Sequence, residues 1–422
     1  MSQSASSNSL KKNFSYRLTM SFALYALNFV TFPYVTRMLG AENFGKVNFV
    51  ISTVDYFLLF ATMGMTVLGM REIAAVRNDK RRLSEVFTQL FGINLAFSLI
   101  IGVIYVITIA TVPKFHNYEQ LFMVGLIRIV TNVFVIDWLF AGLERFKYAA
   151  ISTTVVKVIY VASIFVFVRE ASDYAFYFYA TVGFTVLCGL INFIYARRFV
   201  TIIPRLILSR RYLRENCVLG VSAIAQNFYI TFNVVFLGFA ADSVEVGYYS
   251  TAVKLYFCCV SLFGAFTGIM SPRMASLLAT DNAKQHDDYV RRSSMVALVS
   301  GVLVAVFGYM LAPYIVRIVA GGDFEGAIAP LRLLVIALIP QFINQVVIYQ
   351  VIVPMKRDNL LLTVSLVGSA LTILFNVIFI PRFAAVGASI SLLLCEVLVM
   401  IIYIVYCRVK RLPQFPTFGH VQ

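Results

Sequence analysis

Long runs of apolar residues, each about as long as a membrane span, alternate with short polar turns along almost the whole chain. A helix that crosses a bilayer needs about 20 such residues, at a rise of about 1.5 Å each. The pattern therefore predicts an all-α, polytopic integral membrane protein with twelve transmembrane helices. The predicted spans are 15–38, 45–70, 87–112, 119–143, 149–168, 174–196, 217–240, 247–272, 294–319, 327–353, 360–380 and 384–406.

The longest polar stretch, residues 197–215, divides these spans into two sets of six. We predict a cytoplasmic N-terminal segment at 1–14, an N-terminal lobe at 15–196 and a cytoplasmic linker at 197–215. A C-terminal lobe at 216–407 and a cytoplasmic tail at 408–422 follow. A weak repeat relates the halves, since LGAENFGKVNFV and AADSVEVGYYSTAV each join an acidic turn, a glycine and a helix with a polar face. Internal repeats are typical of transporters, so we expect two six-helix lobes around a central cavity.

Composition agrees with this class, because 60% of the residues are hydrophobic and 13% are charged. A soluble domain has about 45–50% apolar and about 25% charged residues. The formal net charge of +15 would suggest nucleic acid in a soluble protein, but here the charges lie mostly in loops. We expect no nucleic-acid partner and an attraction to anionic membrane lipids. The excess of Lys and Arg in alternate loops predicts that both termini are cytoplasmic.

Several classes of chemistry find no support. The six cysteines lie in apolar segments without ligand spacing and the three histidines are scattered, so we expect no metal site and no cofactor. The segment Gly40–Lys46 matches the start of a P-loop, but Val47 follows it and the context is a turn between membrane helices. The outward loops are too short for a polymerase or glycosyltransferase. We therefore expect no enzyme and no catalytic residues.

Charged residues inside the predicted spans are the candidate functional groups. Such charges mark a cavity, an ion pair or a relay, because an unpaired charge in hydrocarbon is costly. The set contains five cations and three anions, which favours an anionic substrate: Arg17, Asp55, Arg128, Asp137, Lys157, Lys254, Arg332 and Glu396. In the alternative, Asp55 or Asp137 only neutralises Arg128 or Lys157. Glu396 is either a proton site or the partner of a polar helix face.

The stretch Val246–Arg273 joins several of these signals. Lys254 lies inside its apolar run, on the helix face that also holds Ser250 and Ser261. Gly264 and Gly268 form a G-x-x-x-G pattern, which favours close packing of a neighbouring helix. The alternative for Lys254 is that its side chain extends to the membrane interface.

Four segments carry a resemblance to a known family: TRMLGAENFGKVNFV, VGYYSTAVKL, the SPR at 271–273 and NVIFIPRFAAVGASISLLLCE. In their order and in the two-fold division, the chain resembles the bacterial O-antigen and exopolysaccharide flippases. Their superfamily includes multidrug extruders and the lipid II flippase. The resemblance implies a V-shaped pair of lobes and flipping of an undecaprenyl-diphosphate-linked oligosaccharide between the leaflets of the bacterial inner membrane. It also implies a polysaccharide polymerase and a chain-length regulator as partners.

The family's cationic lumen implies a role for particular residues of this chain. By position, the substrate-binding candidates are Lys254, Arg128, Lys157, Arg17 and Arg37, and the candidates for proton or ion coupling are Asp55, Glu396 and Asp137. Of these, Lys254 lies within a segment that itself matches the family pattern. The alternative function is a cation-coupled multidrug extruder of the same superfamily, and the excess of cations argues against it.

Overall fold

The computed structural model describes residues 2–203, 209–280, 282–410 and 412 of the chain. Side chains are described from residue 27 onward, except at positions 146, 149, 222, 226, 229, 230 and 358. Within these residues the secondary structure is entirely helical. The predicted all-α class is therefore confirmed.

The chain divides into two compact units, residues 1–227 and 228–422. The first contains α1 (Ser2–Thr62), α2 (Met65–Val76), α3 (Lys80–Thr111), α4 (Pro113–His116), α5 (Glu119–Thr131), α6 (Asp137–Gly142), α7 (Phe146–Phe167) and α8 (Tyr174–Ala196). The division falls inside α9 (Arg210–Ala240), and the second unit continues with α10 (Ser243–Ala279), α11 (Ala283–Val319), α12 (Ile328–Val347) and α13 (Asp358–Val409). In the described part of the chain, three short 3-10 helices and one π-helix lie between these helices: Asn132–Phe134, Ala171–Asp173, Gly322–Ala327 and Ile348–Ile352.

Nine helical segments of the described chain are long and apolar enough to cross a membrane. In two of them the chain bends at a single residue with positive φ within one long helix, Gly40 in α1 (φ 69°, ψ 172°) and Ala384 in α13 (φ 46°, ψ −121°). Predicted spans one and two therefore meet at Gly40, and predicted spans eleven and twelve meet at Ala384. The 61 residues of α1 would extend about 90 Å if straight, three times the hydrocarbon thickness.

The bend at Ala384 is held by contacts within the second unit. The backbone N–H of Ala385 donates to Glu245 Oε2 at 3.0 Å, so an acidic side chain of α10 binds the turn. Gly387 lies against the turn so closely that a Cβ there would be 2.3 Å from the carbonyl oxygen of Phe379. Alanine rarely adopts a positive φ, and the turn contacts hold it in that conformation.

The fourth predicted span, 119–143, is not one continuous helix. It consists of α5, a 3-10 turn and α6, with Val135 and Ile136 outside helical geometry between them. The sequence TNVFVID explains the interruption, because β-branched residues lose side-chain freedom in a helix and an acidic residue favours a first helical turn. Asp137 is the first residue of α6.

Both units have close-packed cores. In the first, Gly69 of α2 lies against Trp138 of α6, where an added Cβ would be 2.5 Å from the indole ring. In the second, Phe263 of α10 stacks on Phe342 of α12, with ring centroids 4.2 Å apart. The α12 segment is the most enclosed candidate span, with 56% of its apolar window buried, against 22% for α10.

Candidate functional site

An ion pair joins two of the candidate charges in the first unit. Arg128 Nη1 of α5 lies 2.8 Å from Asp55 Oδ1 of α1. Gly125 permits this approach, because a Cβ there would be 2.6 Å from Val54 on the opposite helix. The structure therefore agrees with the alternative in which Asp55 neutralises Arg128. Asn132 extends the polar contact by donating its amide to the Thr62 hydroxyl at 3.2 Å.

A second polar cluster surrounds the interruption between α5 and α6. Asp137 Oδ1 accepts a hydrogen bond of 3.3 Å from the Asn192 amide of α8, and Ser152 of α7 donates to Asn192 Oδ1 at 3.0 Å. Nearby on α7, Lys157 Nζ lies 4.3 Å from the ring centroid of Tyr160 and 4.8 Å from that of Phe184. Aromatic faces stabilise a cation at such distances. Among the described side chains Lys157 forms no ion pair with Asp137, so this part of the pairing alternative is not realised.

Among the side chains described in the second unit, one carboxylate is deeply buried. Glu396 is 3% exposed, and its Oε2 accepts a hydrogen bond of 2.9 Å from the Asn344 amide of α12. No cation pairs with Glu396 among the side chains that the structure describes. A polar residue of α12 is thus its partner, as in the alternative that placed Glu396 against a polar helix face. A carboxyl group with one amide donor and no counter-ion can exchange a proton without breaking an ion pair.

The neighbouring residue on α12 binds α10. Gln345 Nε2 donates to the carbonyl oxygen of Val260 at 3.1 Å, and its Oε1 accepts from the Thr267 hydroxyl at 3.3 Å. Gly264 makes room for this amide, since a Cβ there would lie 3.3 Å from Gln345 Oε1, whereas a Cβ on Gly268 would meet nothing within 4 Å. The G-x-x-x-G pattern therefore marks a close contact at its first glycine, and that contact is polar.

Lys254 is exposed on α10, one turn beyond a buried polar region. Ser250 and Thr251 are 2% and 0% exposed, and their hydroxyls have no hydrogen-bond partner among the described residues. The remaining predicted cations lie elsewhere. Arg37 is exposed on α1, and the side chain of Arg17 lies outside the described residues. Arg332 lies over the Tyr309 ring, and its Nε donates to the Tyr309 carbonyl at 3.3 Å.

A chain of buried neutral groups links α9, α10 and α13. Asn376 Nδ2 donates to Asn233 Oδ1 at 2.8 Å, and Asn233 Nδ2 donates to the Tyr249 hydroxyl at 3.0 Å. The sequence analysis missed Asn233, Asn376 and Asn192. Each stands alone in an apolar run, and an amide there must find a partner because an unpaired polar group in hydrocarbon is costly. That signal was available in the sequence.

Groups outside the predicted spans form a charged network at the start of α9. Arg71 pairs with Glu215 and with Glu72, and Arg211 pairs with the same two carboxylates at 3.0 Å and 3.5 Å. The hydrogen bond from Arg211 and the positive charges beside it hold the pKa of Glu215 below its usual value. The network ties the end of α2 to the first turns of α9 within the first unit. All six cysteines are free thiols.

Comparison with known proteins gives relatives over almost the whole chain. Two curated proteins carry the name "Putative O-antigen transporter". The chain is 24% identical to the one from Escherichia coli (strain K12), over 96% of this chain and 98% of that protein. It is 23% identical to the one from Shigella dysenteriae, over 93% and 98%. By name these relatives are transporters and not enzymes.

The solved structures that resemble the chain share its fold. The lipid II flippase MurJ, in an inward closed conformation, superposes with a TM-score of 0.76 at 11% identity, over 94% of this chain and 87% of that one. An inward-facing multidrug resistance MATE family transporter of the MOP superfamily superposes with a TM-score of 0.71 at 15% identity, over 92% and 94%. The chain therefore has the all-helical fold of these membrane transporters.

The family model described as polysaccharide biosynthesis protein matches residues 10–278, well over half of the sequence. The match begins in α1 and ends in α10, so it includes the segment around Lys254. The chain belongs to the polysaccharide biosynthesis protein family.

Proposed function

We propose that this chain flips a lipid-linked oligosaccharide, the repeat unit of an O-antigen or a related polysaccharide, from the cytoplasmic to the periplasmic leaflet of a bacterial inner membrane. The observation that carries the proposal is the near full-length likeness to two proteins named as O-antigen transporters, within a family named for polysaccharide biosynthesis. A diphosphate with several sugars cannot cross about 30 Å of hydrocarbon unaided, so a polar path must carry it.

The proposal includes twelve membrane crossings, six in each half. The bends at Gly40 and Ala384 each divide one long segment into two, which turns nine candidate spans into eleven. The shorter apolar stretch Thr231–Ala240 of α9 supplies the twelfth. We keep 15–196 and 216–407 as the two lobes and place both termini in the cytoplasm, on the distribution of Lys and Arg. We propose transport by alternating access, in which the two lobes rock about the cavity.

Lys254 is the cation that we assign to the diphosphate. It is exposed, it lies on a helix face with Ser250 and Ser261, and its segment lies within the family match. Lys157, Arg37 and Arg17 are further substrate-binding candidates. Arg128 is a weaker one, because its ion pair with Asp55 already satisfies part of its charge.

For coupling to a proton we assign Glu396 first. Its burial and its single amide donor distinguish it from Asp55, which has a counter-ion. Asp137 is the second candidate, because its described partner is also an amide. A Glu396→Gln variant keeps a hydrogen-bonding side chain of the same size but holds no exchangeable charge.

The test uses a deletion strain of the source bacterium that carries the chain on a plasmid. We expect lipid-linked oligosaccharide to accumulate on the cytoplasmic side without the chain, and the wild type to reverse the accumulation. Lys254→Ala should not reverse it at equal membrane abundance, whereas Lys284→Ala, which removes an exposed lysine at the start of α11, should. Full transport by Lys254→Ala would remove Lys254 from the site. Intact polysaccharide with lost drug resistance in the deletion strain would instead support the multidrug extruder.

A further inference from the structure

A polar cavity lies where the two ends of α13 meet. Its volume is about 390 Å³, and it is lined by Lys356, Arg357, Asn359, Leu360 and Tyr406. The bend at Ala384 returns the helix, so residues near 357 and 406 are neighbours although 49 positions separate them. None of these residues belongs to the candidate transport site described above.

The cavity has a fixed cationic wall. Arg357 Nη1 donates to the Tyr406 hydroxyl at 2.7 Å, which holds the guanidinium in place. An arginine has five N–H donors, so this bond leaves others for a ligand. Among the described side chains no carboxylate pairs with Arg357 or with Lys356, which is exposed at the rim.

The backbone of this wall is also ordered by hydrogen bonds. The N–H of Lys356 donates to the Val353 carbonyl at 3.0 Å, and that of Arg357 donates to the Ile352 carbonyl at 3.1 Å. Lys356 has a positive φ of 55°, which turns the chain sharply between the π-helix and α13. The two cations are thus presented by a tight turn.

Charge and apolar surface together point to a lipid. The segments 356–359 and 408–411 hold five cations and one carboxylate by sequence. Directly along α13 from Tyr406, Val405 and Ile401 are exposed by 52% and 45%, and Val409 by 72%. A membrane helix with such a flank offers a surface for acyl chains beside a pocket for a headgroup.

We propose that this cavity binds the phosphate group of an anionic phospholipid, with Arg357 and Lys356 as its ligands and Tyr406 as the residue that positions Arg357. Basic pockets at the ends of membrane helices bind such headgroups because the charge-assisted hydrogen bond forms beside a low-dielectric medium. The site is independent of the proposed transport function, since it needs no flipping and shares no residue with it.

The experiment is lipid titration of the purified full-length chain, followed by native mass spectrometry. Dioleoyl-phosphatidylglycerol is the anionic probe, dioleoyl-phosphatidylcholine is the zwitterionic one, and inorganic phosphate is added in a separate arm. We expect selective retention of phosphatidylglycerol and about a 30-fold loss of its apparent affinity in Lys356→Gln/Arg357→Gln, about fivefold per cation. The matched control is Arg291→Gln/Arg292→Gln, which removes two exposed arginines of α11 and should change the affinity by less than about twofold.

A second variant protects the test against misfolding. Tyr406→Phe keeps both charges and removes only the hydroxyl that holds Arg357, so we expect a severalfold loss of phosphatidylglycerol affinity with an unchanged melting temperature. Equal retention of the two lipids, or equal losses in the cavity and control variants, would overturn the proposal. The proposal would also be overturned if the wild type retained inorganic phosphate but not phosphatidylglycerol, and the cavity variant retained neither. The pocket would then bind free phosphate and not a lipid.

Discussion

The ion pair between Asp55 and Arg128 allows a sharp test of whether these charges serve structure or transport. The change is a double-mutant cycle with Asp55→Asn, Arg128→Gln and the combination of both. Each single change leaves one charge of α1 or α5 without its counter-ion inside the membrane part of the chain. The double change removes both charges and keeps side chains of similar size.

The magnitude follows from the geometry. At 2.8 Å and an effective dielectric constant of about 20, two unit charges attract by about 6 kcal/mol, which is an upper bound. The Asp55 side chain is 39% exposed and that of Arg128 is 18% exposed, so screening lowers the coupling energy to about 1–2 kcal/mol. At about 2–4 °C per kcal/mol, the double variant should melt about 2–8 °C above the value that additive single effects would give.

The assays are the melting temperature of the purified chain in detergent and complementation of the deletion strain at matched abundance. If the two charges only neutralise each other, the double variant should transport like the wild type while each single variant is less stable. Additive single effects would refute the ion pair as a stabilising contact. A double variant that is stable but does not transport would show that one of these charges contacts the substrate or carries the proton.

Three further predictions concern the stability of the separate units. Gly69→Ala should destabilise the chain by about 1–3 kcal/mol, because its Cβ would lie 2.5 Å from Trp138. Gly183→Ala should be neutral or slightly stabilising, because its Cβ would meet nothing within 4 Å. Thermal melting of both variants distinguishes packing from a general effect of alanine. Ala384→Gly should stabilise the chain by about 1 kcal/mol and so raise its melting temperature, because glycine adopts a φ of 46° without strain. An unchanged or lower melting temperature would contradict a strained turn. Glu215 has a lowered pKa in the folded state, so the folded chain releases this proton at a lower pH than the unfolded one; its contribution to stability should be present above about pH 4.3 and decline as the pH falls through the folded value, and Glu215→Gln should remove this part of the pH dependence of the melting temperature.

Much of the helical layout could be predicted from hydrophobic run length, because a membrane helix must satisfy its backbone internally and so needs a continuous apolar segment. Run length placed a break between predicted spans one and two, where the structure bends at Gly40, but it could not predict that α5 stops at Thr131. The end of α5 depends on local backbone geometry, where β-branched residues and an acidic helix start compete with helix propagation. The sequence TNVFVID contained that competition, but its length suited an uninterrupted span.

The candidate charges were found from sequence because charge inside hydrocarbon is conspicuous, but their partners were not. Helical spacing places Asp55 and Arg128 on the faces of their own helices, and it carries no information about which helices meet. The pairing depends on Gly125, whose missing side chain brings α5 close to α1. Similarly, Glu396 finds Asn344 across 52 residues, a separation that no local pattern can encode.

The two units satisfy buried polarity in different ways, and this bears on the charge available to a substrate. Among the described residues, the first unit holds Arg128 in an ion pair and Lys157 over aromatic rings. The second unit satisfies its core mostly with amides, such as Asn233, Asn376 and Asn344, which bring no net charge. The amides of Asn233 and Asn376 can hold helices together without attracting or repelling a diphosphate. Asn344 differs, because it binds the buried carboxylate Glu396. On this argument, Asn376→Asp would place a carboxylate in the amide pair with Asn233 and should weaken transport of an anionic substrate. The Asn376→Gln variant changes the side-chain volume more but adds no charge, and should weaken transport less.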